Sequence, residues 1–104
     1  MNKLDKIHDL HQFFIKKFRP KKPIILKLSK SMINHGSYKY SNNKHYITIN
    51  IKDSLEMSYE NYVHEFSHLL EYNKWGCEHH SDFWGVCYAR TYRAYLEWLD
   101  AQYS

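Results

Sequence analysis

Three glycines, two prolines and two cysteines are all that this chain of 104 residues holds of the residue types that interrupt or staple a fold. So little glycine and proline excludes a low-complexity or loop-dominated scaffold. Cys77 and Cys87 form no C-x-x-C pair, which argues against a disulfide framework and a zinc ribbon; buried thiols acting as small hydrophobes are expected instead. No apolar run approaches the roughly eighteen residues that a membrane span requires. The N-terminal "MNKLDKIHDLHQFF" interleaves charges with apolar residues and so lacks the continuous apolar segment of a secretory signal. These absences predict an intracellular, monomeric protein without membrane contact, cytoplasmic or associated with DNA in the nucleoid.

What is present fits one globular core. The apolar fraction is 43% and the aromatic fraction 17%, with ten tyrosines, enough for a single domain over residues 1–104 and too little chain for two. The net charge of +4 conceals a change of sign. Residues 1–52 carry twelve Lys and Arg against two acids, whereas residues 53–104 carry three against nine. A cationic half suggests an anionic partner, with nucleic acid the commonest candidate inside a cell. "KKFRPKKP" at 16–23, then Lys27, Lys30, Lys39 and Lys44 interleaved with Tyr38, Tyr40 and Tyr46, combines phosphate-neutralising and base-stacking groups and suits single-stranded DNA. The competing reading is a solvated lysine-rich surface whose tyrosines simply cover a sheet.

Apolar residues recur every three to four positions from Leu4 to Phe18, predicting a one-sided helix that ends before Pro20. "IILKL" at 24–28 reads as a strand. "GSYKY" and "HYITINI" flank the turn-forming "SNNK", predicting a hairpin with Tyr46, Thr48 and Asn50 on one face and Ile47, Ile49 and Ile51 towards the core. Ser58 resembles an N-cap, so a helix is expected from about Ser58 to Asn73, with Tyr62, Val63, Phe66, Leu69 and Leu70 inward and Gly76 at its exit. A last helix is expected from near Ser81, directing Phe83, Val86, Cys87, Tyr95, Trp98 and Leu99 inward. The order is α-β-β-β-α-α.

The chemistry concentrates in "NYVHEFSHLLEYNKWGCEHHSDFW", residues 61–84, which holds four of the eight histidines. "HEFSH" at 64–68 is an H-E-x-x-H on a predicted helix. Four residues are little more than a turn, so His64 and His68 share a face and can offer ring nitrogens to one metal ion, with Glu65 beside them as a candidate base. Apolar neighbours fill the inward face, so both histidines are expected on the more polar side. His79, with ten residues between it and His68 and past Gly76, can approach from a second direction; three protein ligands with one position open suit a catalytic zinc.

These residues resemble the SprT-like (Spartan-like) zinc metallopeptidases, in which H-E-x-x-H precedes an H-G-x-x-F-W-type motif. His79, His80, Ser81, Asp82, Phe83 and Trp84 match that second motif, with His80 in place of glycine. The resemblance covers roughly residues 24–100 and lacks the zinc-ribbon extension of some members. It implies a zincin-like (minigluzincin-type) α+β domain with an N-terminal helix, a small three-stranded, mostly antiparallel sheet, the H-E-x-x-H helix and a C-terminal helix. It further implies one Zn2+ held by His64, His68 and His79, peptide-bond hydrolysis with Glu65 as the base acting on water, and protein substrates that include DNA-associated ones. His80 and Cys77 stay open as alternative ligands. Glu71 and Asp82 are candidates to orient the ligand histidines, and Tyr88, Arg90, Tyr92 and Arg93 to stabilise an oxyanion. Two rival readings remain: a nucleic-acid-binding module that retains the zinc fold without turnover, and a structural zinc protein whose shell Cys77 or His80 closes.

Overall fold

The helix nearest the N-terminus is set by its caps. In a computed structural model, which describes residues 2–75 and 82–103, α1 spans Lys3–Phe18. Asn2 Oδ1 accepts from the Asp5 amide at 2.9 Å, and Arg19, at φ 48°, closes the helix by donating its own N–H to the Ile15 carbonyl. Ile7, Leu10, His11 and Phe14 form its buried stripe.

Three strands follow: β1 (Ile24–Ser29), β2 (Gly36–Ser41) and β3 (Lys44–Asn50), in the spatial order β1-β3-β2. Asn42 and Asn43 both adopt positive φ, 54° and 62°, which matches a two-residue hairpin turn to the twist of β2 and β3. The sheet is mixed rather than mostly antiparallel, because β1 pairs with β3 in parallel while β2 pairs with it antiparallel. The cause lies in residues 30–35, which carry the chain past β3 so that β1 flanks its far side. Asn50 fastens that passage: its side-chain amide donates to the carbonyls of Met32 (3.2 Å) and Asn34 (3.0 Å), and its N–H to that of His35 (2.9 Å). Asn50 is therefore buried, although it lies in register with the outward residues of its strand. Ile47 and Ile49 are fully buried, and Ile51 packs partly against the core.

The helix α2 spans Leu55–Trp75, starting earlier than Ser58. Ser54 is the residue that caps it, with Oγ accepting from the Met57 amide at 3.2 Å, while Ser58 lies inside the helix, fully buried. Tyr62, Val63, Phe66 and Leu69 are wholly buried on the inward face, and Phe14 meets Phe66 edge-on at 5.0 Å between centroids. The last helix, α3, spans Asp82–Tyr103, and the proposed cap Ser81 and exit Gly76 lie outside the described residues. Cys87, Thr91, Ala94, Tyr95 and Trp98 define its buried stripe; Val86, expected inward, is 54% exposed because it lies a quarter-turn off that line. Ser67 and Thr91 hydroxyls meet at 2.6 Å where α2 and α3 come together.

The result is a small compact α+β domain of three helices and one three-stranded sheet, with a radius of gyration of 13.0 Å. Among the described residues no helix is long and apolar enough to cross a membrane.

Candidate active site

The geometry of α2 brings the two motif histidines together, with ring centroids 5.0 Å apart at 73°. They do not lie on an open polar face. The Trp84 ring of α3 covers them, 5.1 Å from His64 and 5.6 Å from His68, and Tyr88 packs against Trp84 at 5.1 Å. Only 12% of the His68 side chain is exposed. Sequence patterning misses this cover because it is a contact between helices; the only hint was Trp84 at the end of the second motif. An apolar roof excludes water and lowers the local dielectric, which strengthens whatever electrostatic contacts form beneath it.

Behind His68 stands Glu71, one turn further along α2 and fully buried, with Oε1 3.9 Å from His68 Nδ1. That is too long for a hydrogen bond, yet a carboxylate facing Nδ1 favours the tautomer with its proton there, leaving Nε2 to act as a ligand. Of the two acids expected to orient the histidines, Glu71 therefore sits beside one; the Asp82 side chain lies outside the described residues.

Glu65 projects from the same turn towards the sheet and is 8% exposed, and burial pushes its carboxyl up from 4.5 to about 7. It fits there because β2 begins with a glycine. A Cβ on Gly36 would lie 3.2 Å from Cγ and Oε2 of Glu65 and 3.2 Å from the Thr48 carbonyl oxygen. The sequence reading used Gly36 only as a strand start, though an isolated glycine in a strand signals a close approach. A cleft of about 370 Å³ opens here, lined among others by His35, Gly36, Glu60, His64, Glu65 and Tyr88.

His35 is the second residue that the sequence did not mark. Its Nδ1 is 2.9 Å from Asp53 Oδ2, and Asp53 also accepts from Asn61 Nδ2 at 2.9 Å, while Lys3 Nζ donates to the Asp53 carbonyl. The hydrogen bond from His35, aided by its charge, Asn61 and Lys3, holds the Asp53 carboxyl below its usual range despite an opposing desolvation effect. Asp53 thereby fixes the imidazole, leaving Nε2 as its remaining polar atom. Of the four oxyanion-stabilising candidates, Tyr88 lines this cleft, and burial followed by Glu60 and Tyr92 pushes its hydroxyl up, so it stays protonated as a donor. Tyr92 faces a neighbouring groove, Arg90 lies over Phe18 at 6.0 Å, and Arg93 is exposed.

The donor set of His64 and His68, with a buried carboxylate behind one of them, suits a zinc ion. Among the described residues no three His, Cys, Asp or Glu side chains converge on one point; the expected third ligand His79, with His80 and Cys77, lies outside them. Comparison with protein-family models, curated proteins and solved structures gave no match to this chain.

The interleaved tyrosines of the basic half are divided by the pleat. Tyr38 and Tyr40 turn inward around the buried His45, with the Tyr38 hydroxyl 2.7 Å from His45 Nδ1, and Tyr40 packs on Tyr72 at 4.6 Å. Tyr46 alone of the three faces outward, with Lys39 Nζ 5.5 Å from its ring centre and the exposed Ile25 and Lys27 on the same side of the sheet.

Proposed function

We propose that this protein is a zinc-dependent metallopeptidase in which His64 and His68, with His79 as the third ligand on sequence grounds, hold the ion and Glu65 is the general base. The observation that carries this reading is the placement of Glu65: a buried carboxyl beside two paired imidazoles, lining a solvent-accessible cleft. A zinc ion bound there supplies Lewis acidity, towards water and towards a peptide carbonyl alike. Glu65 takes the proton from water as it attacks and returns it to the leaving amine. The Tyr88 hydroxyl donates to the oxygen that gains negative charge. His35, oriented by Asp53, supplies a second polar contact from the sheet side. The β2 strand is an edge of the sheet and begins beside Glu65, so an extended peptide can lie along it past that carboxyl.

The deciding experiment pairs metal analysis with cleavage of a DNA-binding protein, with and without single-stranded DNA, in wild type and Glu65→Gln. Stoichiometric zinc in both and turnover only in wild type supports the peptidase. Zinc without turnover in either favours a nucleic-acid-binding module, a reading helped by the outward Lys27, Lys39 and Tyr46.

A further inference from the structure

A second and larger cavity, of about 880 Å³, lies where the first turns of α2 meet the latter half of α3 and the start of α1. That volume is of the size that receives a small molecule or a few peptide residues. Its floor is aromatic. Tyr59, Tyr95 and Trp98 are 6%, 5% and 4% exposed, with Trp98 edge-on to Tyr59 at 5.1 Å and Tyr95 5.9 Å from Tyr59. Its rim is acidic: Asp9, Glu56 and Glu60 stand against one cation, Lys6. The Trp98 indole donates to Asp9 Oδ2 at 3.1 Å, tying floor to rim. The carboxylates act on the floor, since the Tyr95 hydroxyl is pushed up to about 12, first by burial and then by Glu60, Tyr92, Tyr59 and Glu56.

This groove adjoins the Glu65 cleft. Glu60 lines both, and across the junction the Tyr88 ring of the cleft stacks on the Tyr92 ring of the groove at 5.8 Å and 27°. An anionic ligand would meet three carboxylates there, and a purely apolar one would strip them of water. A cation on a stem satisfies both surfaces, with its charge at the rim and its stem or flat guanidinium on the rings.

We propose that this groove binds lysine or arginine side chains of a polypeptide that continues into the Glu65 cleft, so that the protein selects basic protein segments. The selection step rests on the peptidase reading; the binding step does not, and the test separates them. Fluorescently labelled alanine-glycine hexapeptides carrying one Arg, Lys, norleucine or Glu are titrated, by anisotropy, into the full chain bearing Glu65→Gln, and the same peptides are offered to wild type for cleavage. The Arg and Lys peptides are expected to bind at least tenfold more tightly than the norleucine and Glu peptides, less so at high salt. Glu56→Gln and Glu60→Gln are expected to reduce that preference several-fold each; both side chains are exposed, and circular dichroism checks that the variants fold. Charge-selective binding without cleavage would sustain the groove while removing the peptidase reading. Binding indifferent to peptide charge, or a preference unchanged in both glutamate variants, would overturn the groove even if wild type cleaves every peptide.

Discussion

Glu65 reaches the sheet at the strand position where no side chain stands in its way: a Cβ on Gly36 would come within 3.2 Å of both Cγ and Oε2 of Glu65. The Thr48 carbonyl oxygen, equally near, is backbone and cannot give, so the strain of Gly36→Ala falls on the carboxylate. On the peptidase proposal, where displacing a reacting group by as little as an ångström costs on the order of 100-fold in rate, kcat/KM of Gly36→Ala is expected to drop between about 10- and 100-fold. Zinc content should be unchanged. Wild-type turnover in this variant would show that Glu65 does not depend on the gap.

The hydrogen bond between His35 and Asp53 makes a second, separable prediction. If Asp53 acts by orienting the imidazole, Asp53→Asn and His35→Ala should lower kcat by a similar factor, of order 10 to 100, and the double variant should be scarcely worse than either. Additive losses would mean that the two residues act independently, with the Asp53 carboxylate serving only to hold Asn61.

If His68 is a zinc ligand as proposed, Glu71 acts on metal affinity rather than on turnover. Glu71→Gln keeps the shape of a fully buried side chain but replaces the carboxyl that faces His68 Nδ1. Zinc affinity, measured by competition with a chromogenic chelator, is expected to fall about 10- to 100-fold, with kcat at saturating zinc changed much less. Unaltered affinity would make Glu71 a packing residue.

Helix starts are a matter of local chemistry, and here two serines offer the same signal four residues apart. Ser54 Oγ accepts the Met57 amide, whereas Ser58 Oγ is buried without a hydrogen-bond partner among the described residues. Ser54→Ala should therefore cost about 1 kcal/mol of stability, while Ser58→Ala should be neutral or stabilising, since it removes an unsatisfied hydroxyl. Chemical denaturation of the two variants distinguishes them, and the reverse ranking would return the cap to Ser58.

What could be read along the chain was whatever depends on neighbours within a few residues. The stripe of α1 and its stop at Pro20, the Asn42-Asn43 hairpin, and the one-turn spacing of His64 and His68 are all of that kind. The reading of Ser58 as the cap failed because Ser58 lies in line with Tyr62 and Phe66 against the core, and Ser54 caps the helix instead. The parallel pairing of β1 with β3 had no local signal; it depends on the path of residues 30–35 and on Asn50, which holds that loop from sixteen and eighteen positions away. The same is true of the site. Trp84 over the histidines, Gly36 beneath Glu65 and His35 at the cleft each arise where one element meets another. None of these contacts leaves a periodicity to read.

A last prediction concerns the core between α1 and α2, where His11 is 5% exposed and its Nδ1 shares a 2.6 Å hydrogen bond with the Tyr62 hydroxyl. Burial, aided by the nearby His8, lowers His11 from 6.5 to about 4, while burial keeps Tyr62 protonated well above its ordinary range. Between those two His11 values the unfolded chain binds the proton and the folded chain does not. Stability is therefore undiminished above pH 6.5 and is lost as pH falls towards 4, by up to about 3 kcal/mol. Glu65, whose carboxyl is raised, contributes the opposite slope between 4.5 and about 7, but it does so equally in a His11→Gln variant. The stability difference between wild type and His11→Gln, from urea midpoints at several pH values, should hence shift against wild type by about 1.4 kcal/mol per pH unit below 6.5. A difference that stays flat down to about pH 5 would mean that His11 takes up its proton in the folded core, with the Tyr62 contact rearranged to admit it.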